Sequence, residues 1–443
     1  MRRIFAAFAY EDVPRKGCWW DKTCEMPPTE VLEGSRRVQV AIIGGGFTGV
    51  SAALYLATAG ASVAVLEAQD FGWGASGRNG GFCCLGGGMA EDAELDARFG
   101  RGERIAFRQA EKSAVLFVEN LIRRYRLDVD RHSQGETELA HRPKDMKTLQ
   151  ARAARIFENY GVEPQIIEKS DLEDQGMKGG PFFGALTVPL GFGLNPRKYL
   201  AGLVKAARSA GAQLFRRSPV TGMTRRDGLH HLTGPSGTVI AEHVIVATNG
   251  YSSEDLPDWL AGRYMPGQST VLVTRPLSKA DLEAQGWTTD QMCYDTRHLL
   301  HYFRLMPDGR FLFGMRGALL TGPRAEAAAR RKVRQDFESL FPRWAHIESP
   351  NSWSGMVSLA RKKLPFVGEI PGLKGVWAAM CYHGNGVAMG SYAGRLAADL
   401  ALGRETGECP SVMRAPLARF PLGRARRALM PPLYAQLMLA DRV

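Results

Sequence analysis

An α/β fold, a mixed sheet opening on a βαβ unit and interleaved with an α+β unit on an antiparallel sheet, is predicted by three stretches of this sequence. The first is Val38 to Ala68, VQVAIIGGGFTGVSAALYLATAGASVAVLEA, where two apolar runs flank a small-residue helix. The second spans residues 264–320, where strand-like pieces (STVLVTRPL, LLHYFRLM, RFLFGMRG) alternate about a Pro307-Asp308-Gly309 turn, as antiparallel strands do. The third is GVWAAMCYHGNGVAMGSYAGRLAADLALG, which repeats the opening order of strand, glycine turn and helix.

The opening stretch carries the most chemistry. Val38, Val40, Ile42 and Ile43 form an apolar run of the kind a strand buried on both faces requires. Gly44, Gly46 and Gly49 follow in G-x-G-x-x-G spacing, with Phe47 and Thr48 between them, and Gly60 stands where the helix should end. Gly44 permits a tight turn, Gly46 lets the backbone approach a pyrophosphate, and Gly49 lets helix pack closely on strand. The helix start offers free N–H groups and a partial positive charge to phosphates. The second run, Ser62 to Leu66, ends in Glu67 and Ala68, and Glu67 is spaced to accept hydrogen bonds from a ribose diol. Strand, glycines, helix, strand and acid together read as a Rossmann-like dinucleotide-binding unit.

Composition narrows the class. At 443 residues the chain exceeds the ~250–300 at which single cores stop growing, so two domains are expected. No apolar run approaches the ~20 residues that span a bilayer. The basic, partly apolar start loses its apolar character at Glu11 with no small-residue cleavage site behind it, so no signal peptide is expected. Seven scattered cysteines fit reduced thiols and a cytoplasmic protein rather than a disulfide framework, and no ligand set at zinc spacing appears, so no metal is expected. The net charge of +12 comes from dispersed arginines without a nucleic-acid motif. It reads as a solvated basic surface that attracts anionic ligands, dinucleotide phosphates included, with no nucleic-acid partner.

Residues 1–37 form an irregular arm whose Trp19 and Trp20 are expected to pack onto the body. After Glu67 comes AQDFGWGASGRNGGFCCLGGG, with eight glycines from Gly72 to Gly88. Its backbone N–H groups, from Gly74, Ala75, Gly80 and Gly81 among others, would lie close to the rest of a long cofactor, and Ser76, Arg78 and Asn79 would add hydrogen bonds. Cys83 and Cys84 read as two small buried hydrophobes. Residues 91–127 have helical periodicity, and Gly161 should stop a further helix. Asn195 and Pro196 should cap and open another helix, ended by Gly211, with Val220 at the end of the strand behind it. HVIVATNGY is a second buried strand that breaks at Thr248, Asn249 and Gly250. Gly384, Asn385 and Gly386 precede a helix from Val387 to Leu402, whose positive end can face a developing negative charge.

These motifs, with GWGASGRNGG, VIVATNGYS, DTRHLLHYFRL and YHGNGVAMGSYAG, resemble the FAD-dependent oxidoreductases of the D-amino-acid oxidase and glycine oxidase group, and within it the gamma-glutamylputrescine oxidoreductase-like branch. The resemblance spans roughly residues 15–435. It implies FAD, with the adenosine end on Gly44–Gly49 and Glu67 and the isoalloxazine between GASGRNGG and the Gly384–Gly386 turn. It implies an FAD-binding domain formed by residues 38–90, 185–255 and 350–420, a substrate domain formed by 91–184 and 256–349, and a tail from 421 to 443.

The implied reaction is oxidation of an amine C–N bond by hydride transfer to flavin N5, hydrolysis of the imine, and reoxidation by O2 or another acceptor. The cofactor carries the organic chemistry, while the protein binds, orients and excludes water. Substrate contacts are expected from Tyr302, Arg304 and Arg316 on the antiparallel sheet and from His383. Three departures from the family pattern matter. In GMVSLARKKLPFVG, Val357 stands where amino-acid-oxidising members place a carboxylate-gripping arginine, which favours an amine (a polyamine, glutamylated amine or secondary amine) over a simple α-amino acid. Val357 and Ser358 also replace the cysteine that attaches flavin in the sarcosine-oxidising branch, so FAD is expected to be noncovalent. Met315 and Arg316 stand where that branch uses a lysine to activate oxygen. Two competing readings are a dehydrogenase of an imino or amino acid that passes electrons to a carrier, and a flavin-binding subunit without turnover of its own.

Overall fold

The computed structural model describes residues 2–404 and 407–441. Two eight-stranded sheets dominate it. The first runs in the order Phe366–Glu369, Val376–Met380, Gly237–Val246, Gly34–Ile43, Val63–Leu66 and Gln213–Phe215, with a two-strand extension from the long Gly237–Val246 strand. From Val376–Met380 to Gln213–Phe215 every neighbour is parallel. Parallel strands need covering on both faces, and alternate residues of the opening strand do divide that way. Val40 and Ile42 pack under the helices Phe47–Thr58, Pro196–Ser209 and Ala388–Ala401, while Ala41 and Ile43 join Val244, Leu260 and Tyr264 on the other face.

The expected punctuation appears where the sequence carries it. Gly60 follows the first helix with φ +87°. Asn195 caps its helix by accepting from the N–H groups of Arg197 and Lys198. The periodic stretch 91–127 is two helices rather than one, Asp92–Phe99 and Arg101–Tyr125, because Gly100 (φ +85°) turns the chain between them.

The second sheet runs Asn351–Leu359, Met265–Pro276, Arg310–Ala318, His301–Leu305, Met292–Asp295, Glu136–Leu139, Gly184–Val188 and Gln165–Glu168. It is antiparallel except where Met292–Asp295 meets Glu136–Leu139. Phe303, Phe311 and Phe313 pack one face against Val333, Phe337 and Phe341 of the helical layer. Pairing turns Tyr302, Gly314 and Tyr294 into one row on the opposite face.

This topology corrects the expected division of the chain. Gly184–Val188 and Asn351–Leu359 pair within the second sheet, so boundaries at 185 and 350 cut through it, and the first strand begins inside the expected arm, at Gly34. A strand follows its hydrogen-bonded neighbour, which local composition does not reveal.

The N-terminal arm is docked rather than loose. Trp20 is 2% exposed, donates from Nε1 to Asn79 O at 2.8 Å and meets the Trp353 ring edge-on. At the other terminus the helix Met430–Ala440 is tied down by Asp441, which accepts from the N–H groups of His298 (2.8 Å) and Leu299 (3.2 Å).

Candidate active site

A cavity of about 410 Å³ runs between the two sheets. Of the residues singled out in the sequence, Gly44, Gly46, Phe47, Thr48, Glu67, Ala68, Gly74, Ala75, Ser76, Arg78, Asn79, Gly80, Val220, Thr248, Asn249, Gly384, Asn385, Gly386 and Val387 line it, together with Tyr302, Arg316 and Val357. Gly49, Gly81, Gly250 and His383 do not.

At one end the first strand turns into the first helix. Gly44 adopts φ +109°, and a Cβ there would lie 2.8 Å from Ala247 O. A Cβ on Gly49 would lie 1.9 Å from Gly44 O, so Gly49 shapes the turn from behind rather than lining it. The helix start leaves N–H groups without intrahelical partners. Two neighbouring donors are held by side chains, with Gly45 N–H donating to Glu67 Oε2 (2.7 Å) and Phe47 N–H to Ser76 Oγ (2.9 Å). Burial raises the Glu67 carboxyl above its ordinary value, against the pull of the N–H groups of Gln69 and Gly45.

The glycine-rich loop folds on itself and onto its surroundings. Asn79 Nδ2 donates to Ala75 O (3.2 Å) and Ser76 O (3.0 Å), and its Oδ1 accepts from Gly81 N–H (2.8 Å). Asn79 is therefore a staple of the loop. Arg78 stacks 4.3 Å from the Trp73 ring centroid and donates to Trp73 O (2.8 Å) and Ser354 O (3.3 Å). Its Nη2 is buried without a hydrogen-bond partner, and burial lowers the guanidinium below its usual range. A glycine turn that a Cβ would fill, helix-start N–H groups without intrahelical partners and an orphaned guanidinium N–H fit a long anionic dinucleotide such as FAD.

At the other end the second sheet supplies the wall. Ser269 Oγ donates to Met315 O (2.9 Å), so the Tyr302 hydroxyl, 3.0 Å away, donates to Ser269. Burial raises the Tyr302 phenol further, and it stays neutral. A Cβ on Gly314 would lie 2.2 Å from the Tyr302 ring and one on Gly80 2.7 Å, so two glycines let the ring lie flat between the sheet and the loop. Arg316 donates from Nη2 to His383 O (3.1 Å) beside Gly384, and burial lowers it below the usual arginine range. Met315 points the other way, into the aromatic core with Phe311 and Phe313.

Two expected substrate contacts are otherwise engaged. Arg304 donates to Gly80 O (2.9 Å) and Leu194 O (2.8 Å) and meets His132, clamping the loop from outside the cavity. His383, 3% exposed, donates from Nδ1 to Gly87 O (3.0 Å) and accepts at Nε2 from Ala360 N–H (3.1 Å). With both nitrogens committed and burial pulling it down to about 4, it is a neutral structural imidazole. Of the rest, Gly81 sits against Leu194 O and Gly250 against the Val357 backbone.

Sequence reasoning missed Glu136, Tyr294, Ser269 and Cys84, and Arg3 and Tyr10 of the arm, all of which line the cavity. Glu136 and Tyr294 come from strands that only the sheet register brings beside Tyr302, and no local motif marks them.

Comparison with known proteins agrees with this geometry. The family profile DAO, FAD dependent oxidoreductase, matches residues 39–400. A probable oxidoreductase OrdL of Rhizobium meliloti is 30% identical over 96% of this chain and 97% of its own. The gamma-glutamylputrescine oxidoreductase of Escherichia coli is 29% identical over 90% of this chain and 92% of its own. Among solved structures, glycine oxidase from Geobacillus kaustophilus superposes with a TM-score of 0.69 at 22% identity, covering 86% of this chain and all of that one.

Proposed function

The chain belongs to the FAD-dependent oxidoreductase family, and from that premise we propose that it oxidises the C–N bond of an amine to an imine that water hydrolyses. FAD, when bound, supplies the two-electron acceptor for that oxidation. The loop and the first helix would hold the dinucleotide through Gly44–Thr48, Glu67, Ser76 and the free Arg78 Nη2. Tyr302, Tyr294, Leu300, Met356 and Val357 form a largely apolar wall that keeps water from the reacting carbon and favours the neutral form of the amine. No side-chain base is needed if the amine enters neutral, and His383 is not free to act as one.

The observation that carries the amine reading is Val357 on the cavity wall: the resemblance implies a carboxylate-gripping arginine at this position in amino-acid-oxidising members, and a valine offers no donor. Support also comes from the names of relatives, which include gamma-glutamylputrescine oxidoreductase and glycine oxidase. A second reading has its own observation. Arg316 lines the cavity with no protein carboxylate within ion-pair distance among the described residues, so it would suit an amino acid whose carboxylate reaches it.

Anaerobic bleaching of the flavin visible band tests both, across polyamines, glutamylated amines, N-methyl amines and amino acids. Bleaching by amines lacking a carboxylate, unchanged in Arg316→Met, supports the first reading. Bleaching by α-amino acids alone, lost in Arg316→Met, replaces it with the second. Stopped-flow reoxidation in air then decides whether O2 is the acceptor: a slow return of the oxidised spectrum assigns the electrons to a carrier.

A further inference from the structure

Among the described residues, the charged side chains that line the cavity are Arg3, Glu67, Arg78, Glu136 and Arg316. The first three lie with the glycine turn, the loop and the N-terminal arm, which leaves Glu136 and Arg316 for the substrate half. Glu136 opens the strand Glu136–Leu139, in register with Met292 and Val188. Three strand spacings, about 14 Å measured across the sheet, separate its strand from that of Arg316.

The carboxyl is built in and unpaired. Glu136 is 5% exposed, faces the Leu85 backbone and the Cys84 thiol, and opens to the cavity alone. The nearby Arg152 is taken by Glu138, which it meets at 2.7 Å. No protein cation lies within ion-pair distance of Glu136 among the described residues. An acid buried without a cation costs free energy that an apolar residue at the same strand position would not, so its counterpart is expected to arrive with a ligand. A site for a neutral group would need only a hydroxyl or an amide.

We propose that Glu136 is the specificity-determining residue of this cavity, pairing with a second, non-reacting ammonium of the substrate. The enzyme then prefers amines that carry a distal amino group over monoamines. The inference rests on the amine reading above and names its substrate class: the reacting amine lies toward the Gly384–Val387 turn and the distal ammonium on the Glu136 strand. Arg316, at the other side of the wall, keeps the distal cation from binding in the reverse orientation by like-charge repulsion.

The experiment uses FAD-loaded enzyme above pH 8, where the Glu136 carboxyl is ionised, under anaerobic conditions with 1,4-diaminobutane and butylamine. The perturbation of the flavin visible spectrum gives the Kd of each, and bleaching gives the rate. The wild type is expected to bind the diamine about 30-fold or more tightly than the monoamine. Glu136→Gln should reduce that preference to within about threefold by weakening the diamine while leaving butylamine unchanged, and Glu136→Asp should keep part of it. A wild type that does not discriminate, a preference that survives in Glu136→Gln, or an equal weakening of both amines overturns the assignment. If the variants do not fold, the wild-type preference measured below and above pH 8 decides the matter, and a preference that does not change with pH overturns the assignment. A diamine that binds selectively without bleaching leaves the pairing intact and sinks amine oxidation. Equal bleaching by both amines does the reverse, and no spectral change with either overturns both.

Discussion

Gly49→Ala is the sharpest perturbation of the cofactor end, because one methyl group meets backbone on the far side. The added Cβ would lie 1.9 Å from Gly44 O, 3.1 Å from Gly44 C and 3.2 Å from Ile42 Cγ2. Non-bonded carbon needs roughly 3 Å or more from an oxygen, so the helix start and the strand end must part by about 1 Å. Neither can yield alone: the strand is held between parallel neighbours and the helix is packed against Ala388–Ala401. Overpacking costs about 1–3 kcal/mol, and with a backbone oxygen as the obstacle the upper end applies. About 3 kcal/mol is roughly a hundredfold in an equilibrium constant, so FAD should dissociate about a hundred times more readily if the strain falls on the binding turn. Equilibrium dialysis of FAD and a thermal melt with and without added cofactor measure both consequences. Gly394→Ala, whose Cβ would lie 2.2 Å from Thr48 O on the opposite side of the same helix, should behave alike. Gly102→Ala, in an exposed helix turn with nothing within 4 Å, should be neutral or stabilise by up to about 1 kcal/mol. A Gly49→Ala protein that purifies with full FAD and binds it within threefold of wild type would refute the reasoning.

Other consequences can be measured in the same preparations. Glu67→Ala removes the acceptor for two backbone donors, Gly45 N–H and Gln69 N–H, and should weaken FAD about tenfold or more in dialysis; unchanged retention would remove Glu67 from the ribose site. Trp20→Ala empties a site that is 2% exposed and loses the 2.8 Å bond to Asn79 O, so it should cost about 3–5 kcal/mol in denaturant unfolding and speed FAD release from the loop it holds. The affinity for 1,4-diaminobutane should rise with pH. Burial, then the Glu138 charge, raises the Glu136 carboxyl to about 8, so it is neutral below that pH and ionised above it, and the ammonium pairs with the ionised form. The Cys84 thiol and the Tyr294 and Tyr160 phenols are pushed well above their ordinary values by burial, and burial also raises the Glu138 carboxyl against the pull of Arg152, so the comparison with Glu136→Gln separates the two acids. Kd should fall as pH passes 8 and level off above it; a flat profile in the wild type, or the same slope in Glu136→Gln, contradicts the assignment.

How much of this was legible in the chain depended on whether the information was local. The turn at Gly44–Gly49, the acid at Glu67 and the cap at Asn195 are each written within a few tens of residues, since a helix start or a tight turn is built from its own neighbours. Asn79 and His383 were legible as positions but not as roles. Each sits in a glycine-rich run beside the cavity, yet its polar atoms are spent on nearby backbone, and only coordinates reveal that. The face of Tyr302 followed from alternation, while the same alternation put Arg304 in the site although its guanidinium is spent on Gly80 O and Leu194 O. Strand neighbours were not legible at all. The strand Glu136–Leu139 joins Met292–Asp295, over 150 residues away, in parallel register, and this pairing alone brings Glu136 into the cavity.

That long-range pairing changes what the cavity is for. The proposed dinucleotide end is made of glycines, backbone donors and the side chains of Glu67, Ser76 and Arg78, groups suited to phosphate and sugar that carry no substrate information. The substrate end is largely apolar and aromatic, and its two ionisable side chains, Glu136 and Arg316, have no protein partner of opposite charge within ion-pair distance among the described residues. Ionising a buried group without a counter-charge is costly, which is why burial raises the Glu136 carboxyl and lowers the Arg316 guanidinium. Their separation across the sheet also prevents them from neutralising each other. A ligand that relieves either charge gains binding free energy from a cost the fold has already met, and a ligand that leaves the acid unpaired forgoes it. On the proposed reading, substrate choice rests on the register of the second sheet, at Glu136 and Arg316, and not on the dinucleotide motif with which the chain opens.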